Sequence, residues 1–565
     1  MDKRILIVGG VAGGASVAAR VRRIDETAKI IMFERGQNVS FSNCALPFFL
    51  SRTITASENL VLMSPAQFIK QSKIDARVNH EVIKIDRAKK QITVKNVQTG
   101  KVMEEKYDTL FLSPGAAPVR PHSIKGVNGK NVFTVRNVAD IAALDAYINK
   151  NNVADVAVIG GGFIGIEVAE NLKKSGKNVT LIEALDQVLA PFDTDMAQIL
   201  HKALYDNGVT LCLGSSVSAI TAKEVTLASG TTVKAQAVVL AIGVRPETEL
   251  AQKAGLALGE TGAILVDHNY KTSDPDIYAV GDAVEVFNRL THKKSRLTLA
   301  GPAQRQARAA ADHRYGIPHN NNGVIGSSVV RVFDMNAAST GLNEKMCQAA
   351  GIAYDFVYII PQDKVGLMPG SRPLHFKLLF EVPTGKLLGA QAIGQGAADK
   401  RIDVIAAMIT MGATLEDLKE LELCYSPLYG TAKDAVNHAA LVALNLLYGR
   451  FRQVPVSAVR ELVQKKACII DVREPDEFAA GHVTGAKNIP LSQLRERTAE
   501  IPQNKPVYLH CRSSQRSYNA IMALQNLGWN NLYNISGSFL GICTYEYFTD
   551  QITNRKKIVT QYTFD

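Results

Sequence analysis

Val156-Ala157-Val158-Ile159-Gly160-Gly161-Gly162-Phe163-Ile164-Gly165 is where the architecture of this chain can be read. The apolar run has buried-strand character, and the glycines after it open a helix that extends to about Lys174. A further strand, Asn178 to Ile182, ends at Glu183. Strand, glycine turn, helix, strand and acid, in that order, make a dinucleotide-binding fold. Glycines let a pyrophosphate come close, the helix N-terminus attracts it, and the acid binds a ribose. Gly160, Gly162, Phe163, Ile164, Gly165 and Glu183 are therefore candidate cofactor contacts. Glu183 can accept hydrogen bonds from a 2′-hydroxyl but would repel a 2′-phosphate. No arginine follows it immediately, so NADH is expected over NADPH.

The same order occurs upstream. Ile5 to Val8 is a short strand, Gly9-Gly10-Val11-Ala12-Gly13-Gly14 is the turn, and an Ala- and Arg-rich helix runs to about Arg23. The next strand, Ile30 to Phe33, ends at Glu34 and Arg35, which join the turn as candidate cofactor contacts. Val11 stands where the fingerprint has its second glycine, so this turn is the less regular of the two. Downstream, Thr272-Ser273-Asp274-Pro275-Asp276-Ile277-Tyr278-Ala279-Val280-Gly281-Asp282 resembles the second flavin motif of two-dinucleotide flavoprotein reductases. That resemblance implies that Asp282, next to Gly281, bonds the ribityl chain of FAD. Leu112-Ser113-Pro114-Gly115-Ala116 and Ala241-Ile242-Gly243-Val244-Arg245-Pro246 resemble the connecting segments of the same proteins. Ser113, Pro114, Gly115 and Gly243 become cofactor candidates on that basis. The implied arrangement is an NADH domain inserted into a split FAD domain.

Cys44 lies ten residues after Glu34, in Ser40-Phe41-Ser42-Asn43-Cys44-Ala45-Leu46-Pro47, and the next cysteine is Cys212. A Cys-x-x-x-x-Cys pair would cycle through an internal disulfide. A single cysteine pairs instead with a diffusible thiol or is itself oxidised. Residues 1 to about 447 resemble the coenzyme A-disulfide reductase family. The resemblance is carried by the first glycine turn with Ala15 and Ser16, the helix with Arg20, Arg22 and Arg23, the Ser40–Pro47 run, and Tyr425-Ser426-Pro427-Leu428-Tyr429-Gly430-Thr431-Ala432-Lys433-Asp434. It implies hydride transfer from nicotinamide to flavin and onward electron transfer to Cys44, the nucleophile that forms a mixed disulfide with coenzyme A. It also implies that Arg20 and Arg23 hold the phosphorylated end of coenzyme A, with Ser16 and Lys433 among its contacts. Ser40 and Asn43 would flank its thiol arm. Tyr425 would act in the partner subunit's active site, which makes the homodimer obligatory. The chemistry suits the residues, since arginine forks bind phosphates and a thiolate is the attacking form of sulfur. One departure stands out. Leu367-Met368 precede Pro369-Gly370 where family members often carry tyrosines. That puts reduction of coenzyme A disulfide itself in question.

The pattern restarts near Gly449 to Pro455. Ile469-Ile470-Asp471-Val472-Arg473-Glu474-Pro475-Asp476-Glu477-Phe478, Gly481-His482-Val483-Thr484-Gly485-Ala486-Lys487-Asn488-Ile489-Pro490, and the strand Val507 to His510 leading into Cys511-Arg512-Ser513-Ser514-Gln515-Arg516-Ser517 resemble a single rhodanese domain. Cys511 opens a six-residue loop, to Arg516, at a helix N-terminus where backbone N–H groups can cradle an anionic persulfide. Arg512, Arg516 and the helix dipole are expected to favour the thiolate. His482 reads as structural, and Asp471 and Arg473 as braces of the loop. A rhodanese domain fused to a small-thiol reductase implies reductive cleavage of a persulfide, a polysulfide, coenzyme A persulfide or coenzyme A disulfide. Cys511 would handle sulfane sulfur, and coenzyme A would be substrate or bound ligand.

The fold class expected is α/β. FAD and NADH domains of Rossmann type are joined to an α+β dimerisation domain and a C-terminal α/β rhodanese domain. The map is FAD domain 1–115 and 248–319, NADH domain 116–247, dimerisation domain 320–447, linker 448–455 and rhodanese domain 456–565. Length supports several cores, since 565 residues exceed what one core sustains. The net charge of +11 is spread along the chain, with no basic block or reader motif for nucleic acid. The seven cysteines are scattered and lack Cys-x-x-Cys spacing, which fits a reducing cytoplasm and no metal site. No run is apolar for long enough to span a bilayer, and the N-terminus lacks a signal-peptide layout. Cys212, Cys347, Cys424, Cys468 and Cys543 lie in no motif and read as structural. Two other readings remain. An NADH oxidase or peroxidase would use Cys44 as a sulfenic acid, but such enzymes usually carry a histidine where Val11 and Ala12 stand. A non-turnover redox or sulfur-carrier protein would not need two complete dinucleotide motifs.

Overall fold

The computed structural model describes residues 3–564, so Met1, Asp2 and Asp565, at the ends of the domain map, lie outside the described residues. The chain forms two compact units. One combines the residues up to 184 with 214–324, and the other combines 185–213 with those from 325 onward.

The first unit is built on a parallel sheet centred on Arg4–Val8, between Lys29–Phe33 and Thr109–Leu112. Ile74–Arg77 and Ile277–Ala279 form its edges. The last strand returns from far along the sequence, which is how a split domain closes its sheet. Ile5, Leu6 and Ile7 are fully buried because both faces are covered, and that is why the strand reads as a continuous apolar run. The helices Ala12–Ile24 and Ala300–Arg314 pack on one face through small side chains, among them Ala18, Ala307 and Ala311. A second parallel sheet carries Asn178–Ile182, Asp155–Ile159, Ala237–Leu240 and Val132–Phe133 in that order. The connecting segments pair with each other, Val244 opposite Pro118 and Pro246 opposite Ala116. Proline is tolerated there because the ribbon has only edges.

The second unit contains a five-stranded antiparallel sheet of Ser327–Val332, Met335–Gly341, Leu387–Gly394, Leu374–Glu381 and Tyr354–Ile359. Leu374–Glu381 and Leu387–Gly394 form a hairpin around Pro383-Thr384-Gly385. Lys377 lies in the middle of this sheet and is 0% exposed. Its Nζ meets Asp195 at 2.8 Å, Asp193 at 3.2 Å and Glu344 at 2.5 Å, and it sits 4.2 Å from the Phe356 ring centre. Burial would lower the lysine pKa, but the three carboxylates outweigh it and raise it. The cluster explains why residues 185–213, which the sequence assigns to the NADH domain, belong to this unit. Asp193 and Asp195 begin the helix Thr194–Asp206 and are tied to Lys377. Lys377→Met should destabilise the unit by about 3–5 kcal/mol, because it leaves the buried Asp193 and the partly buried Asp195 and Glu344 without a cation. Denaturant unfolding checks this, and a loss no larger than that of an exposed ion pair would show the cluster to be dispensable.

The C-terminal part adds a parallel sheet in the order Gln453–Val454, Leu532–Ile535, Val507–His510, Cys468–Asp471, Lys487–Asn488. Residues 448–455 are therefore not a free linker. Phe451 is buried, and Gln453–Val454 pair with Asn534 and Ile535. This domain is docked on the rest of its unit. Gln453 Nε2 donates to the Phe356 carbonyl at 2.6 Å and Ser536 Oγ to that of Tyr358 at 3.3 Å. Gly537 lies so close to the Tyr358 ring that a Cβ there would come within 2.7 Å of it. The helix Ser538–Thr553 packs on Thr194–Asp206. There the Phe548 ring lies tilted at 5.1 Å from His201, which burial holds neutral by lowering its pKa to about 3. Among the described residues no helix is long and apolar enough to cross a membrane.

Candidate active site

The first glycine turn is shaped by close backbone contacts. Gly9 has φ +94°, and a Cβ there would lie 2.0 Å from the Ser113 carbonyl oxygen. Gly14 lets the helix press against the turn, since a Cβ would lie 1.8 Å from the Gly9 oxygen. Val11 does not need the left-handed freedom of a glycine there, since its φ is −108°. Neither Val11 nor Gly162 caps its helix with a side chain, so first-turn N–H groups of both dinucleotide helices can receive a pyrophosphate. Glu34 accepts from Gly10 N at 2.9 Å and Gly36 N at 2.7 Å, and Glu183 accepts from Gly161 N at 2.6 Å. Each acid is thus fastened at the edge of its turn, where a ribose would come. Arg35 is instead paired with Glu247, which also holds Arg136 at 2.6 Å, so it braces the connecting segments.

Gln306 was not apparent from the sequence. Its Oε1 accepts from Gly281 N at 2.7 Å, while its buried Nε2 has no hydrogen-bond partner among the described residues. An orphan buried donor beside Gly281 and Asp282 is what a bound cofactor would satisfy. Burial raises the Asp282 pKa, and Arg136 opposes the shift. With Glu34, the open helix N-terminus and Ser113, these groups fit FAD.

Cys44 sits in the short helical turn Asn43–Ala45, which leads into the helix Pro47–Leu50. Ser40 carries the loop past the glycine turn at φ +48°, donating its N–H to the Gly10 carbonyl at 2.8 Å. A left-handed serine marks a locally strained position, held here by that bond and by Leu62 N donating to Ser40 O at 2.7 Å. Cys44 is exposed, yet the protein around its sulfur raises the thiol pKa, and the carboxylates of Glu167 and Asp282 push the same way. Those two acids come from different folds, Asp282 from the first sheet and Glu167 from the helix Phe163–Lys174. The helix after Cys44, Pro47–Leu50, packs on Phe163–Lys174, and Ser51 Oγ donates to Asn171 Oδ1 at 2.6 Å, so Cys44 lies where the two dinucleotide folds converge. Burial, then the neighbouring Glu170, raises Glu167 to about 7, a second site residue not apparent from the sequence.

The arginines of the first helix differ from one another. Arg22 is buried and donates to the carbonyls of Ser72, Asp25, Glu26, Ala28 and Lys73, so it holds the fold. Arg20 Nε is paired with Asp312 at 2.5 Å, which fixes its direction, and Arg23 is exposed. Ser16 is half-buried on the same helix. In the second unit Tyr425 is 50% exposed and Leu367 88% exposed. Lys433 and Cys424 are exposed too, whereas Cys347 and Cys543 are buried. The buried Arg401 bonds Asp434 at 3.0 Å, the Tyr429 carbonyl at 3.3 Å and the Asp363 carbonyl at 2.9 Å. One guanidinium thus anchors both the Tyr425 segment and the Leu367 loop.

The second sulfur site is Cys511, 1% exposed at the end of Val507–His510. The loop is shorter than the sequence suggested. Ser514 turns the chain at φ +75°, and the helix already begins at Gln515, so Gln515 and Arg516 lie in its first turn. Ser538, at φ +49°, accepts from Cys511 N at 3.2 Å and brings its Oγ to 3.9 Å from Sγ, and Ser517 Oγ donates to Sγ at 3.7 Å. Arg516 is clamped to Glu477 by bonds of 2.6 and 2.7 Å. Arg473 is bidentate on Asp471 and bonds the Gly481 carbonyl, bracing the loop from below. His482 stacks on Phe478 at 3.9 Å, a packing contact.

Residues 3–307 match the family model of pyridine nucleotide-disulphide oxidoreductases, 327–436 that of their dimerisation domain, and 456–544 that of rhodanese-like domains. The coenzyme A disulfide reductase of Staphylococcus epidermidis is 34% identical over 435 residues, 77% of this chain and 98% of the relative. Reduced CoADR-RHD of Bacillus anthracis superposes with a TM-score of 0.93 at 42% identity, covering 96% of this chain and 98% of that one. An NAD-dependent persulfide reductase from A. fulgidus gives a TM-score of 0.91 at 33% identity, covering 96% and 100%. The water-forming NADH oxidase of Lactobacillus brevis gives 0.75 at 25% identity, over 79% and 99%. Matched from the first glycine turn to the Cys511 loop, the chain belongs to the pyridine nucleotide-disulphide oxidoreductase family, among the coenzyme A disulfide reductase homologues, with the family's dimerisation domain and a C-terminal rhodanese-like domain.

Proposed function

We propose that this chain uses NADH to reduce the sulfur–sulfur bond of a coenzyme A persulfide, a polysulfide or coenzyme A disulfide at Cys44, with Cys511 handling sulfane sulfur. The observation that carries this reading is the exposed Cys44 on a short turn of the first dinucleotide fold, whose following helix, Pro47–Leu50, packs on the Phe163–Lys174 helix of the second. The Cys44 thiolate attacks a sulfur–sulfur bond. The leaving group departs with the bonding pair, as hydrosulfide from a persulfide or thiolate from a disulfide, and a mixed disulfide remains. FAD, when bound, would supply the two electrons of the nicotinamide hydride for its cleavage. Glu34, Gly281, Asp282 and Gln306 would hold the FAD, and the Phe163–Lys174 helix with Glu183 the NADH. Arg23, with the oriented Arg20, offers positive charge to the coenzyme A phosphates. Tyr425 and Lys433, on an exposed segment of the dimerisation domain, would complete the site in a homodimer. Leu367 and Met368, in place of tyrosines, favour a persulfide or polysulfide over the disulfide.

Steady-state NADH oxidation with coenzyme A persulfide, polysulfide, coenzyme A disulfide and oxygen tests this reading. Sulfur substrates should prevail. Oxygen as the preferred acceptor would replace it with an oxidase that uses a Cys44 sulfenic acid. Comparing kcat/KM for NADH and NADPH should show NADH preferred, because Glu183 is held at the ribose end of its turn by Gly161. Equal values would mean that the carboxylate does not meet the ribose.

A further inference from the structure

The site around Cys511 has two kinds of donor, and they are unequally available. Neutral hydroxyls surround the sulfur, with Ser517 Oγ at 3.7 Å and Ser538 Oγ at 3.9 Å. Both serines are fully buried, and Ser538 holds a left-handed backbone to bring its hydroxyl there. Arg516 is a cation in the first turn of the helix that the Cys511 loop opens. Both of its terminal nitrogens are nevertheless committed to the two oxygens of Glu477. Glu477 is itself held in place, since its Oε2 accepts from Glu474 N at 3.2 Å in a capping box. The pair is two-pronged, the strongest form of such a contact. A doubly charged donor reaching for Arg516 must displace Glu477 or lie beside its carboxylate.

We propose that Glu477 makes the Cys511 site selective for alkyl persulfides over thiosulfate. The inference rests on the reading of Cys511 as the sulfane-sulfur nucleophile. In the favoured step the Cys511 thiolate attacks the outer sulfur of RS–SH. The bond between the two donor sulfurs breaks, its electron pair leaves with RS⁻, and Cys511–S–SH forms with the proton retained on the transferred sulfur. The hydroxyls of Ser517 and Ser538 suffice for the single charge involved. With thiosulfate the leaving group is sulfite, a dianion whose departure calls on the guanidinium that Glu477 occupies. Glu477 thus excludes a competitor by repulsion and by keeping the Arg516 fork filled.

Sulfur transfer to cyanide by the full-length holoenzyme, with cysteine persulfide and thiosulfate as alternative donors, tests this. The unsubstituted protein should prefer cysteine persulfide in kcat/KM. Glu477→Gln should raise the thiosulfate-to-persulfide ratio roughly ten- to a hundredfold, the worth of freeing one charge-assisted contact. An unchanged ratio in the variant, or thiosulfate used as well as the persulfide by the unsubstituted protein, overturns the selectivity. The second measurement needs no variant, so it stands even if the Glu477→Gln substitution weakens the helix cap. Transfer from neither donor would instead remove the assignment of Cys511 as nucleophile, and the inference with it.

Discussion

Cys44→Ser should bind FAD, reduce it with NADH at an undiminished rate, and lose turnover of every disulfide and persulfide by roughly a thousandfold or more. The cofactor-holding groups, Glu34, Gly281 with Gln306, and Asp282, do not depend on the sulfur. Cys44 is exposed, so the substitution leaves no cavity. A hydroxyl is a far weaker nucleophile, and here its surroundings oppose ionisation, since partial desolvation by the protein around the sulfur and the carboxylates of Glu167 and Asp282 already raise the thiol pKa. The rate should therefore climb with pH as Cys44 ionises, and replacing Glu167 with glutamine should move that rise to lower pH. Rapid-mixing absorbance for the flavin step and steady-state NADH oxidation for turnover separate the two halves. Near-normal turnover of a sulfur substrate by Cys44→Ser would end the assignment.

Cys511→Ser should abolish persulfide sulfurtransferase activity while NADH-dependent reduction of a small substrate persists. The expected loss is again on the order of a thousandfold, because the reacting atom is removed. Serine fits the space, which already holds the hydroxyls of Ser517 and Ser538, so the domain should remain docked through Gln453, Ser536 and the Ser538–Thr553 helix. Bulky donors should suffer most in the reductase assay, because they would rely on Cys511 as a relay. If small-persulfide reduction also vanishes while FAD content and flavin reduction by NADH stay normal, the two sulfur sites are obligately coupled.

Much of the scaffold is local and therefore legible. The helix Phe163–Lys174 and strand Asn178–Ile182 stand where the glycine turn and apolar runs put them, because backbone approach and burial act over a few residues. The same holds for Val507–His510. The arginines of the first helix show where such reading stops. Their spacing gives three alternatives of equal standing, yet Arg22 turns inward onto five carbonyls, Arg20 onto Asp312, and Arg23 stays in solvent. The partners that no local pattern reveals, Asp312 for Arg20 and the Ser72 and Lys73 carbonyls for Arg22, are remote in sequence and have no periodicity.

Amino-acid order alone thus carried the paired dinucleotide turns, the isolated Cys44 and the loop beginning at Cys511. Each depends on what a short backbone segment and its residue types can do. Folding added Glu167 beside Cys44, Gln306 beneath Gly281, Glu477 on Arg516, and the buried Lys377 that ties residues 185–213 to the second unit. These are charge and hydrogen-bond pairings between segments tens to hundreds of residues apart. Their energies arise only once burial strips water from both partners and makes each group's neighbour decide its cost.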